Sequence, residues 1–150
     1  MEIITFMLEN NFSRKSLIIS IGGGVVCDMG GFSASIFLRG IDFISIPTSL
    51  LSMVDASIGG KTGVNHKLGK NMIGTFNQPQ AVFIDTYFLK TLSKKEFLSG
   101  MGEIIKHGII IGDKDDNKYL NFLEKEIKGI QIGKEEIGRA SCRERVSSPV

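Results

Sequence analysis

Ser16-Leu17-Ile18-Ile19-Ser20-Ile21-Gly22-Gly23-Gly24 is the stretch on which the fold turns. A short, β-rich apolar run closed by three glycines has the pattern of a buried strand feeding a tight turn. A helix is expected next. From Asp28 to Phe37 the small residues Gly30, Gly31, Ser33, Ala34 and Ser35 would let it lie very close to a sheet or a ligand, until Arg39-Gly40 ends it. Asp42-Phe43-Ile44-Ser45-Ile46, stopped by Pro47, reads as a second strand, and Thr48 and Ser49 are natural caps for a helix beginning at Leu50. Ala81-Val82-Phe83-Ile84-Asp85 reads as a third strand. Strands alternating with helices give an α/β domain with a parallel sheet.

Working outward, Ile3 to Leu8 reads as a helix with no strand ahead of it, so the sheet is expected to be incomplete. Between the second and third strands lies a Gly-, Lys- and Asn-rich stretch with little periodicity, expected to be a loop of the kind that carries chemistry in strand-and-helix proteins. Downstream, Ser93-Lys94-Lys95-Glu96 fits a capping box opening a helix to about Ile110, and a further helix is expected from Lys118 to Lys128. Gly138 to Val150 has three arginines and no periodicity, and reads as loop or as sequence foreign to the fold.

Composition narrows the class. A chain of 150 residues, 42% hydrophobic and 23% charged, can bury one ordinary core. No apolar run is long enough to span a membrane and the N-terminus lacks a signal-peptide pattern, so a cytoplasmic protein is expected. Cys27 and Cys142 have neither metal nor redox spacing and read as free thiols. The net charge of +2 is accounted for by Arg139, Arg143 and Arg145 less Glu144, which leaves the body neutral and unlike a nucleic-acid binder.

Several constellations could carry chemistry. Gly22-Gly23-Gly24-Val25-Val26-Cys27-Asp28 lies between a strand and a helix, where backbone N–H groups and a helix dipole can meet a pyrophosphate; a plain glycine turn fits equally well. It is not a GxGxxG fingerprint, since Cys27 stands in the last glycine's place, and Asp28 reads as a helix cap. Gly60-Lys61-Thr62 resembles the end of a P-loop, but a Walker motif needs a glycine where Asp55 stands. What remains is an acid, two ammonium groups and an amide, Asp55, Lys61, Lys70 and Asn71, in one glycine-rich stretch suited to an anionic, hydroxylated ligand. Glu103, Lys106 and His107 share one helix face, but Glu103 and His107 are only two ligands and an ion pair is the simpler reading. His66 reads as a loop hydrogen-bonder. Met29, Met53, Met72, Met101 and most phenylalanines read as core.

Taken together, Gly22-Gly23-Gly24-Val25-Val26, Leu38-Arg39-Gly40, Ile46-Pro47-Thr48, the run Val54 to His66, Leu68-Gly69-Lys70-Asn71-Met72-Ile73-Gly74 and Glu103-Ile104-Ile105-Lys106 resemble 3-dehydroquinate synthase in order and spacing, from about Leu17 to Ile110. The resemblance implies an incomplete Rossmann-like NAD-binding α/β domain over residues 1–92, the start of an α-helical metal-binding domain over 93–135, and a foreign or read-through tail over 136–150. It implies conversion of 3-deoxy-D-arabino-heptulosonate 7-phosphate to 3-dehydroquinate and phosphate in the shikimate pathway, with bound NAD and a divalent metal, zinc or cobalt. NAD oxidises a ring alcohol, the resulting ketone acidifies the neighbouring C–H, phosphate is eliminated, the ketone is reduced again, and ring opening and an aldol closure follow. By the same resemblance Gly24, Val25, Val26, Cys27, Asp28, Thr48, Ser49, Lys61, Lys70, Phe88, Leu89, Lys90 and Thr91 would contact NAD. Asp55, Lys61, Lys70, Asn71 and Lys106 would line the substrate pocket, Arg39 would reach the phosphate across a homodimer interface, and Glu103 would ligate the metal.

Cys27, Ser49 and Gly102 stand where glycine, threonine and alanine are common in that family, each a mild change. The family's upstream nucleotide-binding segment and its downstream helical domain, with two histidine ligands, have no counterpart here. The chain is therefore expected to be a central fragment, inactive alone. Other sugar phosphate cyclases, glycerol and iron-type alcohol dehydrogenases, and a non-catalytic nucleotide- or phosphate-binding module are the competing readings.

Overall fold

The computed structural model describes residues 2–111 and 117–126, to which all structural statements refer; residues 127–150, with Cys142 and the expected tail, lie outside them. Strands β1 (Leu17–Gly22) and β2 (Asp42–Pro47) pair in parallel from Leu17 opposite Asp42 to Gly22 opposite Pro47. Helix α1 (Glu2–Glu9) precedes them and α2 (Gly24–Ile36) forms the crossover. The expected parallel sheet is present.

α2 begins four residues earlier than expected. Its N-cap is Gly23, in extended conformation, so Gly24 and Val25 belong to the first turn. The first N–H groups of a helix need no helical partner, which lets a glycine turn run directly into one. Asp28 consequently sits inside the helix and is not its cap. The face toward the sheet is made of small residues, Cys27, Gly30, Gly31, Ser33 and Ala34. The approach is close: a Cβ on Gly30 would lie 1.8 Å from Ser20 Oγ. Met7, Ala34, Phe37, Ile41 and Phe43 form the core at this end.

The opposite face of β1 is apolar but not covered among the described residues, with Leu17, Ile19 and Ile21 between 43% and 58% exposed. After α2 a 3-10 turn (Phe37–Arg39) leads into β2, and beyond β2 a helical segment from Leu50 opens into a π-helical turn (Ser52–Ala56).

The largest departure from expectation follows. The Gly-, Lys- and Asn-rich stretch is an antiparallel hairpin of β3 (Lys61–His66) and β4 (Gly69–Phe76), not a loop. Its residue types have poor β-propensity, but tertiary pairing overrides a weak intrinsic preference. Gly63 faces Gly74 with no room for a Cβ on either, Thr62 Oγ1 and Thr75 Oγ1 lie 2.9 Å apart across the strands, and Thr75 Oγ1 donates to Ser35 Oγ of α2 at 2.8 Å.

Strand β5 (Ala81–Val82) adds to β2 in parallel and is shorter than the expected run to Asp85, although Phe83 N still donates to Ser45 O. Asp85 instead caps a 3-10 turn (Thr86–Thr91), accepting from Tyr87 N at 2.8 Å. Helix α3 (Lys94–Ile111) opens with the expected capping box, in which Glu96 N donates to Ser93 Oγ and Ser93 Oγ to Glu96 Oε2. α4 (Lys118–Glu126) packs beside it. Leu50, Met53, Val54, Leu89, Phe97, Met101, Ile104, Tyr119 and Leu123 form a second core that ties the π-helical turn to both helices. No described helix is long and apolar enough to cross a membrane.

Candidate functional site

The glycine turn brings main chain, not side chains, to the site. No side chain caps α2 and its first turn holds no acidic residue, so its N-terminus can receive an anion through backbone N–H groups. Thr48 N donates to Gly22 O, holding the end of β2 against this turn, and a Cβ on Gly23 would sit 3.6 Å from Ser49 Oγ. These features fit a dinucleotide pyrophosphate. Two of the expected NAD-contacting residues, Cys27 and Leu89, are buried, so either would reach a ligand only through its backbone. Cys27 Sγ donates to Gly22 O at 3.7 Å, and burial, opposed by a Ser45 hydrogen bond and reinforced by Asp28, pushes its thiol pKa up. A protonated, buried thiol is unreactive.

Asp55 is presented by the π-helical turn, a local widening of the helix that recurs at functional sites. Serines hold that turn. Ser49 Oγ and Ser52 Oγ lie 2.8 Å apart, Ser52 Oγ donates to Ser49 O, and Ser57 Oγ donates to Ser52 O at 2.7 Å. Met53 and Val54 point into the core and Asp55 is left exposed. The spacing of Ser49, Ser52 and Ser57 is a signal of this turn in the sequence, one that helical periodicity does not reveal. Lys61 begins β3. Asn71, on β4, has φ of +53°, a left-handed conformation asparagine tolerates, and its backbone N donates to Asn65 Oδ1 at 3.0 Å.

On α3, Lys106 Nζ donates to Glu103 Oε1 at 2.6 Å and His107 Nε2 lies 3.4 Å from the same oxygen. The i, i+4 ion pair read from sequence is present when His107 is protonated. The fold adds a third group that helix spacing could not show: potential ligand atoms of Asp55, Glu103 and His107 all lie within 4.8 Å of one another. Two carboxylates and an imidazole are donors suited to zinc or cobalt.

A cleft of about 750 Å³ joins these elements and is lined by Asp28, Asp55, Lys61, Asn71 and Lys106 together with hairpin residues from Thr62 to Phe76. Burial, and secondarily the charge of Asp55, raises the pKa of Asp28. Lysines and carboxylates thus face one space, an arrangement that can bind an anion while orienting hydroxyl groups. Not every expected residue lines it. Lys70, beside Asn71 on β4, is exposed and outside the cleft lining. Arg39 is exposed beyond the far end of α2, on a turn in which Leu38 and Arg39 both have positive φ, an uncommon and costly backbone for such residues. Thr48, Ser49 and the Phe88 to Thr91 turn likewise lie outside the cleft lining.

The family model for the 3-dehydroquinate synthase N-terminal region matches residues 1–99. A bifunctional 3-dehydroquinate synthase/phosphatase of Fusobacterium nucleatum subsp. nucleatum is 59% identical over 126 residues, which is 84% of this chain and 18% of the relative. The 3-dehydroquinate synthase of Campylobacter jejuni subsp. doylei is 56% identical over 83% of this chain and 34% of its own length. The chain thus spans about a third or less of these two relatives. Among solved structures, 2-epi-5-epi-valiolone synthase of Streptomyces hygroscopicus subsp. jinggangensis, which has NAD+ and Zn2+ bound, superposes with a TM-score of 0.67 at 38% identity over 70% of this chain and 29% of that one.

Proposed function

The chain belongs to the 3-dehydroquinate synthase family, and from that premise we propose that it carries the nucleotide- and substrate-facing part of a site converting 3-deoxy-D-arabino-heptulosonate 7-phosphate to 3-dehydroquinate and phosphate. The observation carrying this reading is the convergence of Asp55, Lys61, Asn71 and Lys106, distant in sequence, on one cleft beside Glu103. When bound, NAD supplies reversible hydride acceptance and a zinc or cobalt ion supplies Lewis acidity. Gly24 to Asp28, Thr48, Ser49, Lys61, Lys70 and Phe88 to Thr91 would hold the nucleotide, and Glu103 would ligate the metal. The Lys61 and Lys106 ammonium groups neutralise the substrate's negative charge and donate to its oxygens. The Asn71 amide donates to one hydroxyl and accepts from another, while the Asp55 carboxylate accepts from a ring hydroxyl and fixes the ring's orientation. Arg39, held outward by its strained turn, would reach the phosphate bound by a second copy in a homodimer. Residues 1–92 would form the nucleotide-binding part and 93–135 the start of the helical part of a cytoplasmic enzyme.

A chimaera tests this reading. This chain's matching segment replaces its 126-residue counterpart in the Fusobacterium nucleatum relative, and phosphate release and product mass are measured with NAD+ and Zn2+ or Co2+ supplied. We expect 3-dehydroquinate, with Lys106→Ala and Asp55→Asn each lowering kcat/KM by about 10² or more. An inactive chimaera beside an active parent would overturn the proposal. The likeness to a valiolone synthase favours a second reading, another sugar phosphate cyclase, which a different product mass would reveal.

A further inference from the structure

We propose that Phe76, supported by Met72, is a substrate-positioning residue whose ring takes one C–H face of the sugar ring while the charged groups of the cleft take the oxygens on its rim. The substrate class rests on the function proposed above; the role of this apolar wall is not part of it.

The hairpin dictates the placement. Thr75 Oγ1 donates to Ser35 Oγ and Asn77 Nδ2 donates to Gly31 O, so the residues on both sides of Phe76 are tied to α2. Successive strand side chains take opposite faces, which turns the Phe76 ring away from that helix. Phe76 pairs with Lys61 across the hairpin, and Asn77 N donates to Gly60 O at 2.7 Å, which fixes the backbone here. The ring lines the cleft and is 82% exposed. Met72, four residues back on the same strand, lines it as well and is 65% exposed. Strand rise separates the two by about 13 Å. Between them Gly63 and Gly74 line the cleft without side chains, and neither has room for one: a Cβ on Gly74 would collide with Thr62 O, and one on Gly63 would lie 2.9 Å from Ile73 O. The result is an open floor of main chain bounded by two apolar side chains.

Chemistry sorts the ligand's surfaces. Lysine, carboxylate and amide groups hydrogen-bond to hydroxyls and phosphate and gain nothing from C–H bonds. The electron-rich face of an aromatic ring meets C–H groups favourably, and covering it removes apolar surface from water. A sugar ring carries oxygens around its rim and C–H bonds on its faces, and its 3-deoxy carbon has no hydroxyl. Ligand pockets match such mixed surfaces by setting a few polar groups in apolar lining. Lys61, the cross-strand partner of Phe76, places both kinds of contact side by side.

The test uses the chimaera described above with NAD+ and Zn2+ supplied, by steady-state kinetics and, where no product forms, by calorimetric titration with 3-deoxy-D-arabino-heptulosonate 7-phosphate. Phe76→Ala is expected to raise KM, or Kd, about tenfold and to leave kcat within about threefold, because a C–H face is covered equally in ground and transition states. Phe76→Tyr, which keeps the ring, is expected to stay within about threefold of the parent. Met72→Ala should give a rise of about threefold. Leu68→Ala removes a side chain that is 79% exposed at the hairpin tip and outside the cleft lining, and should change nothing. The exposure of Phe76 means that its truncation should move the melting temperature by no more than about 2 °C. Unchanged KM and Kd in Phe76→Ala, or equal losses in Phe76→Ala and Phe76→Tyr, overturn the inference. So does a lowered melting temperature with affinity intact, which would give the ring a packing role. A chimaera that forms product and ignores Phe76→Ala sinks the inference alone. One that binds the substrate without forming product sinks the proposed function, while the titration still decides Phe76, and a folded chimaera that does not bind overturns both.

Discussion

The two cores of this molecule are built on opposite principles. Where α2 meets the sheet, small residues do the packing, and Gly30, Gly31, Ser33 and Ala34 bring helix backbone almost onto Ser20, Phe43 and the hairpin. Around α3 and α4 the filling is large, with Leu50, Met53, Phe97, Met101, Tyr119 and Leu123 interlocked and one close backbone approach, at Gly100. The first arrangement delivers main chain, so the glycine turn can bind through N–H groups. The second sets the height of α3 above the π-helical turn, so that Glu103 and His107 meet Asp55. The cleft, with Asp28, Asp55, Lys61, Asn71 and Lys106 on its walls, lies where the two meet.

That contrast can be broken most severely in the large-residue core. Phe97→Ala is expected to cost about 3–5 kcal/mol in urea unfolding, because a buried ring is lost and the helix cannot collapse onto the turn. A smaller effect separates the two packing styles at their glycines. A Cβ on Gly100 would meet Leu50 Cβ at 2.6 Å and Leu51 N at 2.7 Å, and one on Gly30 would meet Ser20 Oγ at 1.8 Å. Gly100→Ala and Gly30→Ala should each destabilise by about 1–3 kcal/mol. Ser20→Gly should restore part of the loss at Gly30 and nothing at Gly100, measured as a double-mutant cycle.

Two residues along α3 from the clash at Gly100 the sign reverses. Gly102 has no atom within 4 Å of an added Cβ, so Gly102→Ala is expected to stabilise α3 by about 0.5–1 kcal/mol through backbone entropy alone. The smallest effect concerns charge at the seam. Burial and Asp55 raise the pKa of Asp28, so stability present while Asp28 is protonated is lost as pH rises through its folded-state pKa. Asp28→Asn should therefore melt higher than the parent at about pH 7, and the gain should shrink as pH falls through the raised folded-state pKa toward the ordinary carboxylate value of about 4. A constant difference across that range would show that Asp28 is not the titrating group.

Much of the fold was legible. Ser16 to Gly24 and Asp42 to Pro47 announced parallel strands, and Ser93 to Glu96 announced α3 through a cap that the structure contains. The hairpin was not legible, because Lys61 to Phe76 has neither the alternation nor the β-branched content of a strand. Its pairing depends on Gly63 against Gly74 and on Ser35 of a distant helix. The early start of α2 was hidden by the same glycines that marked the turn. For the site, the residue types and their order were readable one stretch at a time, and the shared face of Glu103 and His107 followed from helical spacing. That Asp55 lies beside them was not.

By itself, then, the sequence determined the local matters, namely the first two parallel strands and the helices around them, the glycine turn, and which side chains can carry charge or ligate metal. These depend on backbone sterics and on residue chemistry within a few positions along the chain. Only the tertiary structure decided that Asp55, Lys61, Asn71 and Lys106 share one cleft and that Asp55 stands within reach of Glu103 and His107. Those distances are set by how two cores pack against one another, and packing sums many contacts between residues far apart in the chain, none of which leaves a period or a motif to read.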